Sequence, residues 1–122
     1  MKSQYEKKRL ITFDRIKIKS NYKYLLNTKV KFNEMFHSRS GEKIGIFYSS
    51  KDDINIPYNL YIAVSYIKQT LTLEFSSKIL KEKYPDLISR DTIKECLTNI
   101  NQLHICDIDV DSILSNGAIT SV

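Results

Sequence analysis

The main change in the apolar period of this chain falls near Ser76, and that change limits the folds open to it. Upstream of Ser76, apolar and polar residues mostly alternate, which is the pattern of half-buried strands. Downstream the apolar residues recur at helical spacing. Ile93, Cys96, Leu97, Ile100 and Leu103 form one stripe, with Lys94, Glu95, Thr98 and Asn99 on the opposite side. Strands gathered ahead of helices predict an α+β domain, with an antiparallel sheet covered on one face.

The strands can be placed residue by residue. Leu10 to Lys19 reads as the first, with Ile16 and Ile18 facing inward and Arg15, Lys17 and Lys19 outward. Asn21 to Leu26 is expected to be a short helical or turn segment. Thr28 to Phe36 alternates again, with Val30 and Phe32 inward and Lys29 and Lys31 outward. The polar stretch His37 to Lys43 is a loop turning on Gly41, and Ile44 to Tyr48 is a short strand ending in the loop Ser49 to Asp53. Tyr58 to Ile67 and Thr70 to Phe75 read as two strands joined at Lys68-Gln69, a two-residue hairpin without the Gly or Asn favoured there.

Ser76 is placed to cap a short helix through Lys83, ended by Tyr84-Pro85-Asp86. The clearest helix starts near Ser89 or Asp91 and runs to about Leu103. A second one, about Asp109 to Ser115, stops at Asn116-Gly117. Ala118-Ile-Thr-Ser-Val122 then alternates like a strand that should continue, so a longer chain or a partner strand at this edge is expected. The expected architecture is a sheet of about five to six strands with two or three helices packed on one face. Residues 1–122 form a single domain in this reading, large enough for one core without staples.

Charge is unevenly distributed. The net value is +5, yet residues 1–36 alone hold ten Lys or Arg against Glu6, Asp14 and Glu34, a balance of +7. The last 18 residues carry Asp107, Asp109 and Asp111 and no base. Tyr5, Phe13, Tyr22, Tyr24, Phe32 and Phe36 interleave with the bases of the first third, a mixture that suits phosphate contact with base stacking. A solvated face in a chain rich in Lys, Ile and Asn is the plainer account of the same composition.

Several chemistries lack their residues. His37 and His104 stand alone, and a His-apolar-His metal clamp would need a second imidazole on the same strand face. His104 is expected at the surface at a helix C-terminus. Asp107-x-Asp109-x-Asp111 starts like a calcium loop but has Ser112 and Ala118 where Gly and Glu are required. Helix capping is the better role for these aspartates. Neither a phosphate-binding glycine loop nor a Ser-His-Asp set is present, and eight tyrosines without a predicted cation beside one single out no nucleophile. No cofactor, metal site or catalytic residue is therefore read in the chain.

Cys96 and Cys106, without CxxC spacing, are expected as buried thiols in a reducing compartment, which points to the cytoplasm. The charged N-terminus is followed by only Leu10-Ile-Thr-Phe13, too short for the apolar core of a signal peptide. No run of about 18 apolar residues occurs, so no membrane partner is expected.

Leu71-Thr-Leu-Glu-Phe-Ser-Ser-Lys-Ile-Leu80 reads as a strand running into a short helix. Ser89-Arg-Asp-Thr-Ile93 opens the amphipathic helix, Leu103-His-Ile105 follows, and Asn116-Gly-Ala-Ile-Thr-Ser-Val122 begins a new strand. This order resembles the N-terminal region of phage and plasmid replication initiation proteins, the rolling-circle initiators related to those of filamentous phage. Phe13-Asp-Arg-Ile-Lys-Ile-Lys19 is similar to that family's first strand. The resemblance is loose over most of the chain and best over residues 71–122. It implies a fragment of a DNA-nicking endonuclease, with the nicking tyrosine and the His-apolar-His metal pair downstream, in a further catalytic domain. No catalytic residue carries over to a position here.

The leading expectation is a DNA-binding or structural N-terminal domain of such an initiator, contacting origin or single-stranded DNA through Arg15, Lys17, Lys19, Lys29 and Lys31. The competing one is a stand-alone phage or mobile-element module that binds a host protein through an edge strand or aromatic face. An enzyme complete in 122 residues would need an active site that the sequence does not display.

Overall fold

β-Branched and aromatic residues at alternate positions need a sheet with one dry face, and such a sheet organises the molecule. The computed structural model describes residues 12–121. Leu10 and Ile11 of the expected first strand, Tyr5 and the four most N-terminal bases, and Val122 lie outside the described residues. The strands are β1 (Arg15–Asn21), β2 (Leu25–Thr28), β3 (Asn33–Phe36), β4 (Lys43–Ser49), β5 (Leu60–Ser65), β6 (Thr70–Ser76), β7 (Cys106–Ile108) and β8 (Ala118–Ser121). The α-helices are α1 (Ile93–Gln102) and α2 (Val110–Asn116).

Six strands form an antiparallel sheet in the order β3-β4-β5-β6-β1-β8, and β2 pairs with β7 in a separate ribbon. The expected α+β class, with the helices on one side, is thus observed. Ile16 and Ile18 of β1, Leu71, Leu73 and Phe75 of β6, and Leu60, Ile62 and Val64 of β5 all point to one face. They share a single core cluster with Ile93, Cys96, Leu97 and Ile100 of α1, Ile113 of α2, and Cys106 and Ile108 of β7. The expected apolar stripe of α1 is therefore the lid of the sheet.

Local chemistry sets the boundaries. The turn before α1 is built by two hydroxyls. The Ser89 N–H donates to Thr92 Oγ1 (2.9 Å), Thr92 Oγ1–H donates to the Leu87 carbonyl (2.9 Å), and the Asp91 N–H donates to Ser89 Oγ (3.2 Å). This turn occupies the four residues expected to begin the helix, so α1 starts at Ile93. Asp109 caps α2 as expected, its carboxylate accepting from the Ser112 N–H at 3.2 Å and from Ser112 Oγ–H at 2.8 Å.

Three expectations are corrected. The strand placed over Thr28 to Phe36 is broken. β2 ends at Thr28, β3 starts at Asn33, and Lys29 to Phe32 join them, with Val30 41% exposed rather than inward. The link between β5 and β6 is the four-residue turn Tyr66 to Gln69 rather than Lys68-Gln69 alone. The Lys68 N–H bonds Ser65 Oγ at 3.1 Å, and Gln69 takes a left-handed φ of 55°. Ser76 belongs to β6, and the helical segment after it is a 3-10 stretch, Ser77–Asp86, interrupted at Lys81 with φ 59°. The second helix stops at Asn116-Gly117 as expected, with Gly117 at φ −83°. β7 had no counterpart among the expected strands, because three residues are too few to show a period.

Candidate nucleic-acid interface

Side chains on a strand alternate between faces, so the partners of the core residues define the other face of the sheet. On β1 these are Arg15, Lys17 and Lys19, about 6.7 Å apart at the rise of an extended strand. Register carries the face across neighbouring strands. Lys17 lies opposite Glu74, Glu74 opposite Tyr61, and Tyr61 opposite Ser49. The next row runs Lys19, Thr72, Ala63, Phe47 and Asn33. Phe47 and Tyr61 are diagonal neighbours with ring centroids 6.1 Å apart, inclined at 33°. Neither ring belongs to the core cluster or packs against it. Both helices are committed to the opposite face, so no described element covers this one.

The face thus combines a line of cations on β1 with an aromatic pair two to three strands away. Arg15 and Lys19 are exposed. Lys17 is half-buried beside Glu74, so its charge is partly offset where it stands. The structure brings Arg15, Lys17 and Lys19 together as the alternation predicts.

It separates the other two expected contacts from them. Lys29 follows β2, where its N–H donates to the Ile105 carbonyl at 2.8 Å and its Nζ lies 3.3 Å from Asp107 Oδ1. It belongs to the ribbon packed with α1. Lys31 is exposed in the link before β3. Lys29 and Lys31 do not share a strand face as expected, because the break after Thr28 leaves both in the link between β2 and β3. Phe47 and Tyr61 were not among the expected contacts, since only register pairs β4 with β5 and brings the two rings together.

The remaining candidates are structural. Cys96 and Cys106 are free and buried, and burial pushes both thiols up to about 12, with the Glu95 and Asp107 charges adding to the effect. His104 is exposed just past α1 with φ 61°. His37 Nδ1 accepts from the Arg39 and Ser40 N–H groups at 3.2 and 3.3 Å, shaping its loop. Asp111 lies 3.7 Å from Lys94. Among the described residues no group of three His, Cys, Asp or Glu side chains could hold a metal, and no helix is long and apolar enough to cross a membrane.

No family model, curated protein or solved structure matches the chain.

Proposed function

We propose that this chain binds DNA, preferentially single-stranded, as the N-terminal region of a phage or plasmid replication initiation protein of the rolling-circle type. The observation that carries the reading is the sheet face opposite the two α-helices, with Arg15, Lys17 and Lys19 in line and the Phe47–Tyr61 pair alongside. Cations that follow a backbone, next to rings on which bases stack, are what a strand without fixed sequence requires. The initiator assignment rests on the resemblance of residues 13–19 and 71–122. In this proposal the chain holds and orients DNA, while nicking belongs to a separate catalytic segment. The two buried, free thiols favour a reducing, cytoplasmic setting.

The test is fluorescence anisotropy with an oligothymidylate at several salt concentrations. Replacing Arg15 or Lys19 by Gln lowers the salt slope by about 0.7 each for a single strand, and Tyr61→Ala weakens binding by about 1–3 kcal/mol. Lys29→Gln leaves the slope unchanged, because its ion pair lies on another layer. Unchanged affinity in the Arg15 and Lys19 variants would overturn the assignment. For an origin duplex the same comparison applies.

A second reading, a module that binds a host protein, draws on apolar exposure at the sheet edges. Phe36 on β3 is 55% exposed and Ile119 on β8 is 51% exposed. Binding of that kind keeps its affinity as salt rises, which separates it from the first.

A further inference from the structure

Four chain segments meet at one end of the sheet face opposite the two α-helices: the start of β1, the end of β6, the start of β5 and the turn after β4. Between them lies an open cleft of about 580 Å³. Arg15, Lys51 and Lys78 line it, with Asp14 as the one acidic side chain among its lining residues. All three cations are exposed, and none forms an ion pair with a described residue. Asn59 and Ser76 also line the cleft, joined by a bond from the Ser76 N–H to the Asn59 carbonyl at 3.3 Å. Asn59 Nδ2 and Ser76 Oγ are buried without any hydrogen-bond partner.

Buried donors left unpaired are uncommon in native proteins and call for an acceptor. Here two such atoms belong to residues that line the cleft, alongside three exposed cations without an ion pair to a described residue. A cation is repelled by such a set, and an uncharged group leaves the charges unanswered. A phosphate group answers the charges, which the guanidinium and two ammonium groups offset, and its oxygens are acceptors of the kind that the buried amide and hydroxyl lack.

Arg15 and Ser76 lie opposite each other in register, one step beyond the row of Lys17, Glu74 and Tyr61. The cleft therefore closes one end of the face on which the strand is proposed to lie. We infer that it takes the terminal phosphate of a nucleic-acid strand, an inference that rests on the DNA-binding reading. Internal phosphates along β1 carry one charge each, whereas a terminal phosphate brings up to two and more free oxygens, which suits the convergence of three cations.

The experiment compares oligothymidylates carrying a phosphate at the 5′ or the 3′ end with the hydroxyl-ended strand, using the full chain and a Lys51→Gln/Lys78→Gln variant. Inorganic phosphate is titrated in parallel, followed by the NMR signals of the Asn59 side-chain amide and the Ser76 N–H. The expected result is about tenfold tighter binding of one phosphorylated strand, lost in the double variant, while the hydroxyl-ended strand binds both proteins alike. Both substituted residues are exposed, and a thermal melt verifies that the variant folds. Equal affinity for all three strands, or a phosphate preference that survives the double substitution, would overturn the inference and leave the DNA-binding reading standing. If no strand binds while inorganic phosphate shifts both signals in the unsubstituted protein alone, the DNA-binding reading fails and the terminal-strand inference falls with it, leaving a site for free phosphate. Absence of any shift or binding overturns both.

Discussion

Gly117 fills a place that no side chain could share. A Cβ there would stand 2.5 Å from the Ile113 carbonyl oxygen and 2.9 Å from Ile18 Cγ2. Its φ of −83° is open to any residue, so the requirement is space between α2 and β1 and not backbone freedom. Gly117→Ala should therefore destabilise the fold by about 1–3 kcal/mol, the usual cost of overpacking, in a urea titration. Only Gly41, with φ 72°, uses the left-handed freedom that sequence reading assigns to a loop glycine. The Asn-Gly pair marks the end of α2 correctly but for a different reason, because a close approach between elements far apart in sequence leaves no local signature. At the same scale, the raised values of Cys96 and Cys106 make stability depend on pH. Their protonated form is favoured in the folded state, so their contribution is complete below the ordinary thiol value of 9.0. It is lost as pH rises toward about 12. The melting temperature should fall across that window, and less steeply in Cys106→Ala. A thiol reagent at pH 8 should label neither cysteine until the protein is unfolded.

Among the elements, the ribbon of β2 and β7 shows best how a short strand is held. Asn101 on α1 grips β7 with both ends of its amide. Its Nδ2–H donates to the Ile108 carbonyl at 3.1 Å and its Oδ1 accepts from the Ile108 N–H at 2.7 Å. The side chain thus does for β7 what a further strand would do. Asn101→Ala leaves both backbone groups without partners and should cost about 1–3 kcal/mol, with a matching loss of hydrogen-exchange protection at Ile108. Long, strictly alternating elements such as β1 and β6 are legible in sequence, as is the stripe of α1, because one periodic pattern covers the whole element. β7 and the break between β2 and β3 are not. Cys106 to Ile108 is too short to show a period, and Lys29 to Phe32 keep an alternating pattern while leaving the strand to reach the far edge of the sheet. The same break takes Lys29 and Lys31 off the strand face expected for them, whereas the aromatic half of the candidate interface depends on register between β4 and β5.

For the whole molecule, the sheet separates two faces of different character. One is closed by helices, and the other presents cations and rings. Its order also has a kinetic meaning. β3 to β6 are neighbours in both sequence and space, a meander whose contacts are local. β1 pairs with β6 and β8, so Ile18 meets Leu73 on one side and Ile119 on the other. Closing loops of such different length delays the second pairing relative to the meander. Substitutions in β5 and β6 should then slow folding, while Ile119→Ala should mainly speed unfolding in a chevron analysis. On a ribosome, β1 emerges ahead of both its neighbours and has to wait for them. Until then its Arg-Ile-Lys-Ile-Lys segment presents bare amide and carbonyl groups on both sides. Alternating charge along that segment, unneeded for the finished core, is what keeps a waiting strand from pairing with another copy of itself.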